Sequence, residues 1–363
     1  MVGGVALSRV DFNSADADFW KRYHVYRRLR HQESRPDDPL RPDEIEELRL
    51  RRNSPFDIEY RYELVRDGVL LSWFSAGTPR PGAPAYEGNK HLFWADLYVR
   101  PDHRRQRIGA SWVPLMLELM DRHGCTLAGI GTEEDSGHAF LKWLGARAKL
   151  VGAENRLKLA DVDWSMAQRW IDEGRVRSPQ TTLEFYEGQL PEEMWDDYAP
   201  QLTGLLKDIP FEDLDVGEVL VTPDHMRDWY ARLDLGGEVQ YILLTREPGG
   251  VISAMTDTTW APYKPAILQQ RFTGVRADAR GRGLGKWIKA EMLVRLRQLH
   301  PEIEWVVTDN AGSNAPMLGI NKKLGFRQYR SETEYQISRD DLAARVKKLA
   351  LRQRRVGSRV YPG

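Results

Sequence analysis

The chain carries one strand–turn–helix pattern twice. The segments Val99–Gly109 and Val275–Gly285, offset by 176 residues, share five of eleven residues, including an arginine, an aspartate and the final glycine. Leu144–Arg147 corresponds to Leu324–Arg327 at an offset of 180 residues. Because the order of predicted elements around these segments also agrees, the sequence predicts an internal duplication.

The length of the chain agrees with a duplicated unit. Its 363 residues exceed what one core usually holds, so two domains are expected. We predict an N-terminal domain over residues 1–165, a linker over 166–182, a second domain over 183–340 and a basic tail over 341–363. Hydrophobic residues make up 41% and charged residues 29%, which is typical of a globular protein.

Composition argues against several classes of partner. The 53 basic and 53 acidic residues cancel, so nucleic acid is not an expected partner. No apolar run approaches the roughly 20 residues of a membrane helix. The first residues lack the pattern of a signal peptide, so we expect no membrane association and a cytoplasmic location. The single cysteine, Cys125, excludes a cysteine-rich metal site, and no metal is expected.

A glycine-rich turn opens the helix predicted over Leu284–Leu299. Glycines let the backbone approach a ligand closely, and the free N–H groups of a helix N-terminus bind phosphate. Arg280, Arg282 and Lys286 add positive charge beside the turn. The sequence lacks both the Gly-Lys-Ser/Thr ending of a P-loop and the acidic residue of a dinucleotide-binding fold. The turn therefore predicts a pyrophosphate site of another kind.

The motif Arg280-x-x-Gly283-x-Gly285 matches the pyrophosphate-binding motif of the GNAT acetyltransferases. The run from Asn310 to Phe326 resembles the second cofactor motif of that family. The resemblance is close over residues 184–337 and looser over 91–158. It implies a mixed α/β (α+β) chain of two tandem GNAT folds. Each would be a bent mixed sheet with flanking helices, in which two central parallel strands splay apart.

The resemblance also implies a co-substrate, acetyl-CoA or another acyl-CoA, bound in the C-terminal domain. Backbone groups of one segment would pair with pantetheine, amides of the turn would hold the pyrophosphate, and side chains of the second motif would lie near the acyl end. These residues are Thr273, Gly274, Val275, Arg280, Gly281, Arg282, Gly283, Leu284, Gly285, Lys286, Asn310, Asn314, Met317 and Asn321.

Residues for proton transfer are harder to assign. Many GNAT enzymes place a tyrosine acid where this chain has Asn321, and an asparagine supplies no proton. Tyr335 is a nearby substitute. A thiolate leaves readily without an acid, since a cysteine-like thiol has a pKa near 8.5. The candidate bases are Glu212, Asp215 and Asp257, and the acids between Asp208 and Asp215 suggest a cationic acceptor.

The N-terminal copy departs from the motif because Arg107 replaces the first glycine. A side chain at that position is expected to crowd the ligand, and Thr132–Asp135 is acidic where asparagine is expected. We interpret this domain as degenerate. The alternative is that Arg105 and Arg107 still hold a phosphate and both halves bind the co-substrate.

Together these features predict an N-acyltransferase that uses acetyl-CoA to acylate the primary amine of a small, cationic molecule by direct attack. Two alternatives stay open. One is acetylation of protein lysines or N-termini, and the other is a non-catalytic acyl-CoA-binding regulatory protein. A monomer or a homodimer is expected.

Overall fold

The computed structural model describes residues 6–357, which form twelve strands and twelve α-helices. The strands are β1 (Ala6–Arg9), β2 (Asp57–Arg66), β3 (Val69–Pro79), β4 (Leu92–Val99), β5 (Leu127–Thr132), β6 (Arg147–Lys158), β7 (Thr182–Glu187), β8 (Val239–Arg246), β9 (Ile252–Trp260), β10 (Ile267–Val275), β11 (Trp305–Ala311) and β12 (Arg327–Ser338). The helices are α1 (Ala17–Ser34), α2 (Asp43–Arg51), α3 (Tyr86–Asn89), α4 (Ile108–Ser111), α5 (Val113–His123), α6 (Asp135–Leu144), α7 (Trp164–Arg177), α8 (Trp195–Leu206), α9 (Pro223–Asp234), α10 (Leu284–Leu299), α11 (Ala315–Leu324) and α12 (Arg339–Gly357).

All twelve strands join one mixed sheet in the order β1-β2-β3-β4-β5-β12-β6-β11-β10-β9-β8-β7. The helix after the glycine-rich turn, α10, has the predicted bounds. None of the helices in the described part of the chain combines the length and the hydropathy that a transmembrane span requires.

Each half contains one parallel strand pair that separates after three residue pairs. In the N-terminal half, β4 pairs with β5 from Leu92↔Leu127 to Trp94↔Gly129. In the C-terminal half, β10 pairs with β11 from Ile267↔Trp305 to Gln269↔Val307. Beyond these pairs the strands diverge, and a gap opens between their carboxyl ends. The expected bent mixed sheet with splayed central strands is thus confirmed in both halves.

The halves exchange their last strands. β6, from the N-terminal half of the sequence, pairs with β11, whereas β12, from the C-terminal half, pairs with β5. β6 and β12 also pair with each other, antiparallel, at the middle of the sheet. Spatial grouping therefore differs from sequence order, and each half is completed by the other.

The helices that follow the exchanged strands also pack in the opposite half. Leu157 on β6 and Trp170 on α7 lie in the core formed by β8–β11 and α10. Tyr335 on β12 and Leu342 on α12 lie in the core of the N-terminal half. Much of the region predicted as a basic tail is therefore part of α12, and its residues 358–363 lie outside the described residues.

The strand exchange predicts which half of the protein a core mutation destabilises. Leu157→Ala removes a fully buried side chain and should lower the free energy of unfolding by about 2–5 kcal/mol. Hydrogen exchange should accelerate first in α10 and β11, although Leu157 precedes both by more than a hundred residues. Val151→Ala, on the same strand but 49% exposed, is the matched control. Acceleration confined to α5 and its neighbours would contradict the exchange.

Lys289 is buried in the same C-terminal core, with 2% of its surface exposed. Its Nζ lies 3.8 Å from Met317 Sδ and 5.4 Å from the centre of the Phe326 ring. No carboxylate pairs with it within the described residues. Burial disfavours the charged form and lowers the pKa of this amine to about 7.

This pKa makes stability depend on pH. Between pH 7 and about 10.5 the unfolded chain holds a proton on Lys289 that the folded chain does not, so stability rises with pH in that range. Lys289→Met should therefore stabilise the protein most at pH 7 and below, with a gain that shrinks towards pH 10. Urea unfolding of both proteins at several pH values measures this difference. A gain independent of pH would contradict a neutral, buried Lys289.

Candidate active site

The two turns that follow β4 and β10 have the same backbone. A single 3₁₀ turn, Pro101–His103 or Ala277–Ala279, leads into each of them. The amides of residues 105–109, like those of 281–285, donate to no other group in the described part of the chain. Each turn ends at a helix N-terminus, so both offer free donors in the geometry that binds phosphate.

The two arginines of the N-terminal turn have the same backbone conformation as the glycines of the C-terminal turn. Arg105 and Arg107 have φ values of 64° and 65°, close to the 81° and 82° of Gly281 and Gly283. The left-handed conformation costs a non-glycine residue roughly 1–2 kcal/mol. The side chain at position 107 therefore leaves the turn in its glycine-like conformation. Backbone strain retained at two alternate positions is a feature of functional loops.

The side chains of the two turns differ in what they contact. Arg105 and Arg107 are exposed and have no ion pair or hydrogen bond with any described residue. In the C-terminal turn, Arg282 is bound by Glu247 at 2.9 Å and by the hydroxyl of Thr181 at 2.6 Å. The unpaired arginines thus lie at the N-terminal turn.

The helix before the second half covers the C-terminal turn. The guanidinium of Arg177, at the end of α7, lies 3.4 Å from the position of a Cβ at Gly283. The ammonium of Lys286 lies 5.5 Å from the ring of Trp170. Arg280 pairs with Asp208 at 2.6 Å, and Arg104 pairs with Glu33 at the same distance. The two arginines predicted beside the C-terminal turn therefore have carboxylate partners, whereas Lys286 forms no ion pair within the described residues.

A groove of about 2030 Å³ runs along the N-terminal half. It follows β4 from Ala95 to Val99, passes the turn and α4 at His103–Ser111, and reaches α6 at Phe140 and Trp143. Side chains of the exchanged β12 and of α12 complete its walls, among them Glu332, Glu334, Val346 and Leu349. No residue of the C-terminal turn lines it.

The residues predicted to bind the co-substrate do gather around the gap between β10 and β11. Two of their side chains form a hydrogen bond with each other. Asn310 Oδ1 accepts from Asn321 Nδ2 at 2.8 Å, and Asn314 caps α11 by accepting from the Met317 amide at 3.4 Å. Asn321 is buried, and its Oδ1 has no partner among the described residues. Two of the asparagines therefore bond to each other at this gap, and the third caps a helix.

Thr273, Gly274 and Val275 end β10 beside the same gap. The Thr273 hydroxyl is 2.8 Å from that of Thr256 on β9. A Cβ at Gly274 would lie 2.4 Å from the ring of Phe272, so a larger residue there would have to displace that ring.

The four candidates for proton transfer lie in different places. Glu212 is exposed and accepts from the Ser313 amide at 3.2 Å, and Asp215 lies 3.1 Å from the His91 ring. Asp257 is buried, accepts from Gln240 and from the amide of Phe272, and has a raised pKa because of its burial. Exchange of β12 carries Tyr335 into the N-terminal half, where its hydroxyl meets His138 at 2.9 Å.

Sequence reasoning missed the carboxylates of the N-terminal groove. Glu332 and Glu334 belong to the last strand of the chain, and only the exchange brings them to β5. Their alternation in Glu332-Thr333-Glu334 places both on one face of a strand, which was the available signal. The strand's partner could not be read from the sequence.

Comparisons with known proteins agree with this architecture. Residues 20–146 match the model of the acetyltransferase (GNAT) family. This segment contains the turn with Arg105 and Arg107 and most of the groove. No curated protein matches the chain in sequence.

Solved structures resemble the chain over nearly its whole length. A tandem GNAT protein from the clavulanic acid biosynthesis pathway, solved without AcCoA, has a TM-score of 0.71 at 18% identity. The match covers 92% of this chain and 98% of that one. A GCN5-related N-acetyltransferase from Sphaerobacter thermophilus has a TM-score of 0.63 at 13% identity, covering 93% and 97%. Residues 20–146 are therefore similar to the acetyltransferase (GNAT) family, and the whole chain has the fold of a tandem GNAT protein.

Proposed function

We propose that the protein transfers an acyl group from an acyl-CoA, with acetyl-CoA as the expected donor, to the primary amine of a small cationic molecule. We further propose that the N-terminal groove holds both substrates. One observation carries this proposal. The groove joins a splayed strand pair, a turn with free amides and two unpaired arginines, and an end lined by carboxylates.

The groove fits an elongated, anionic ligand. Its volume is about twice the upper limit of drug-sized pockets, which span roughly 300–1,000 Å³. Amides of residues 105–109 and the guanidinium groups of Arg105 and Arg107 would hold the pyrophosphate. Beyond Trp94, the edge of β4 that faces β5 pairs with no strand of the described residues, and its amides and carbonyls would pair with pantetheine.

The chemistry then requires a neutral amine beside the thioester. The amine attacks the acyl carbon directly, the C–N bond forms, and the C–S bond breaks. Because a thiolate is a fair leaving group, the main catalytic requirement is to remove a proton from the acceptor.

The C-terminal turn is the second candidate for the cofactor, because its backbone is the same. Its two arginines are paired with carboxylates and α7 covers one side, which supports the N-terminal site as the principal one. A single strong site for acetyl-CoA is therefore expected.

Calorimetry with acetyl-CoA tests this assignment. Arg105→Ser/Arg107→Ser should raise the Kd by roughly 10- to 100-fold for each arginine lost, since a charge-assisted contact contributes about 1.5–3 kcal/mol. Arg147→Ser/Arg327→Ser removes two exposed, unpaired arginines outside the groove and should leave the Kd unchanged. Binding that is abolished by Arg282→Ser but indifferent to the first double variant would move the site to the C-terminal half.

Release of free thiol from acetyl-CoA distinguishes a catalyst from a sensor. The panel of acceptors contains spermidine, kanamycin, free lysine and a lysine-containing peptide. We expect turnover with a small polycation and little with the peptide. Tight binding of acetyl-CoA with no turnover on any amine would favour the regulatory alternative, and turnover only on the peptide would favour protein acetylation.

A further inference from the structure

The carboxylates around the acceptor end of the N-terminal groove fall into two sets. Three of them are held by arginines: Asp96 by Arg30 at 2.5 Å, Glu33 by Arg104 at 2.6 Å, and Glu133 by Arg35 and Arg330 at 3.4 Å. The side chains of Glu134, Glu332 and Glu334 have no ion pair or hydrogen bond within residues 6–357. These three are the ones free to act on a substrate.

The register of the exchanged strand fixes where two of them lie. Glu334 on β12 is paired with Gly131 on β5, two residues past the last parallel pair, Trp94↔Gly129. A Cβ at Gly131 would lie 2.7 Å from Glu334 Oε1 and 2.8 Å from Glu332 Oε1. The two carboxylates therefore occupy the space of the absent side chain, at the point where the strands diverge.

Placement distinguishes Glu334 within the free set, because it lies where the strands diverge. Glu134 is the N-cap residue of α6, and burial and the charges of Glu33 and Glu133 raise its pKa. Glu332 is more exposed than Glu334. Burial and the adjacent charge of Glu332 raise the pKa of Glu334, and burial and Glu133 raise that of Glu332. A carboxylate with a raised pKa is a better proton acceptor.

The C-terminal half does not offer the same arrangement. At the 180-residue offset, Glu334 corresponds to Glu154 and Glu332 to Gly152. Glu154 is buried and is held by Arg156 at 2.6 Å, by Arg330 at 3.4 Å and by Arg35 at 3.5 Å. The exchange thus gives the N-terminal site free carboxylates and the C-terminal site a bound one.

We propose that Glu334, supplied by the C-terminal half through strand β12, is the general base of the N-terminal site, and that Glu332 binds the positive charge of the acceptor. This inference rests on the proposed function. The ammonium of the acceptor gives one proton to the Glu334 carboxylate, which later passes it to solvent. The amine then attacks the thioester carbon, and its second proton ends on the sulfur of the departing coenzyme A. The active site is therefore composite.

Glu334→Gln keeps the size of the side chain but cannot accept the proton. We expect kcat/KM for the best amine of the panel to fall by about 10²–10⁴-fold, with the Kd for acetyl-CoA unchanged. Glu332→Gln should chiefly raise the KM of the acceptor. Glu193→Gln, on the exposed surface of the C-terminal half, is the control for the same chemical change and should match the wild-type protein.

The pH profile gives a readout that a structural role would not move. In the wild-type protein the rate should rise with pH as Glu334 ionises and then level off. In Glu334→Gln it should keep rising towards the pKa of the acceptor amine, because only the neutral amine attacks. Besides the arginines, the other titratable groups that line the groove are Glu33, Asp96, Tyr98, His103, Glu133, Glu134 and Glu332. A plateau at the same pH in Glu334→Gln would assign it to another of these groups and overturn the proposal.

Hydroxylamine provides the decisive control, because it is largely unprotonated at neutral pH. If Glu334 acts as a base, acyl transfer to hydroxylamine should be nearly as fast in Glu334→Gln as in the wild-type protein. Equal loss with both acceptors would show a structural role and overturn the inference. Wild-type protein that binds no acetyl-CoA, or releases no thiol with any amine, would instead contradict the proposed function itself.

Discussion

The antiparallel pairing of β6 with β12 holds this molecule together. Each of these strands also completes the sheet of the opposite half, and each carries its following helix into the opposite core. Without this exchange the outer edges of β5 and β11 would be unpaired, and an open strand edge needs a partner. Exchange turns a tandem duplication into one continuous sheet with a site in each half.

Exchange also lets the two sites differ. Residues of β12 line the N-terminal groove, and residues of β6 lie beside the C-terminal gap. A substitution in one half of the sequence therefore alters the site in the other half. The N-terminal groove received Glu332 and Glu334 in this way, while the C-terminal gap received Glu154 within a cluster of arginines. The turns diverged as well, with free arginines in one and bound arginines in the other. Together these differences support a division of labour between a reacting half and a bracing half.

Much of the fold could be predicted from the sequence, and the candidate site only in part. The strand–turn–helix order, the bounds of α10 and the splayed strand pairs follow from local patterns and from the family resemblance. The conformation at Arg107 does not, because arginine rarely adopts a positive φ, and only the surrounding turn shows that it does here. The roles of the asparagines at 310, 314 and 321 depend on which groups they meet: Asn310 and Asn321 bond to each other, and Asn314 caps α11. Strand exchange leaves no local signal, so the sequence concealed which half Glu334 and Tyr335 belong to.

The central claim is that the co-substrate lies in the N-terminal half, with its acyl end beside a residue of the other half. A crystal structure grown with a non-transferable acyl-CoA analogue tests this most directly. The account predicts the pyrophosphate on the amides of residues 105–109 and the acyl end near Glu334, between β4 and β5. An analogue found only between β10 and β11, with its pyrophosphate on residues 281–285, would contradict it.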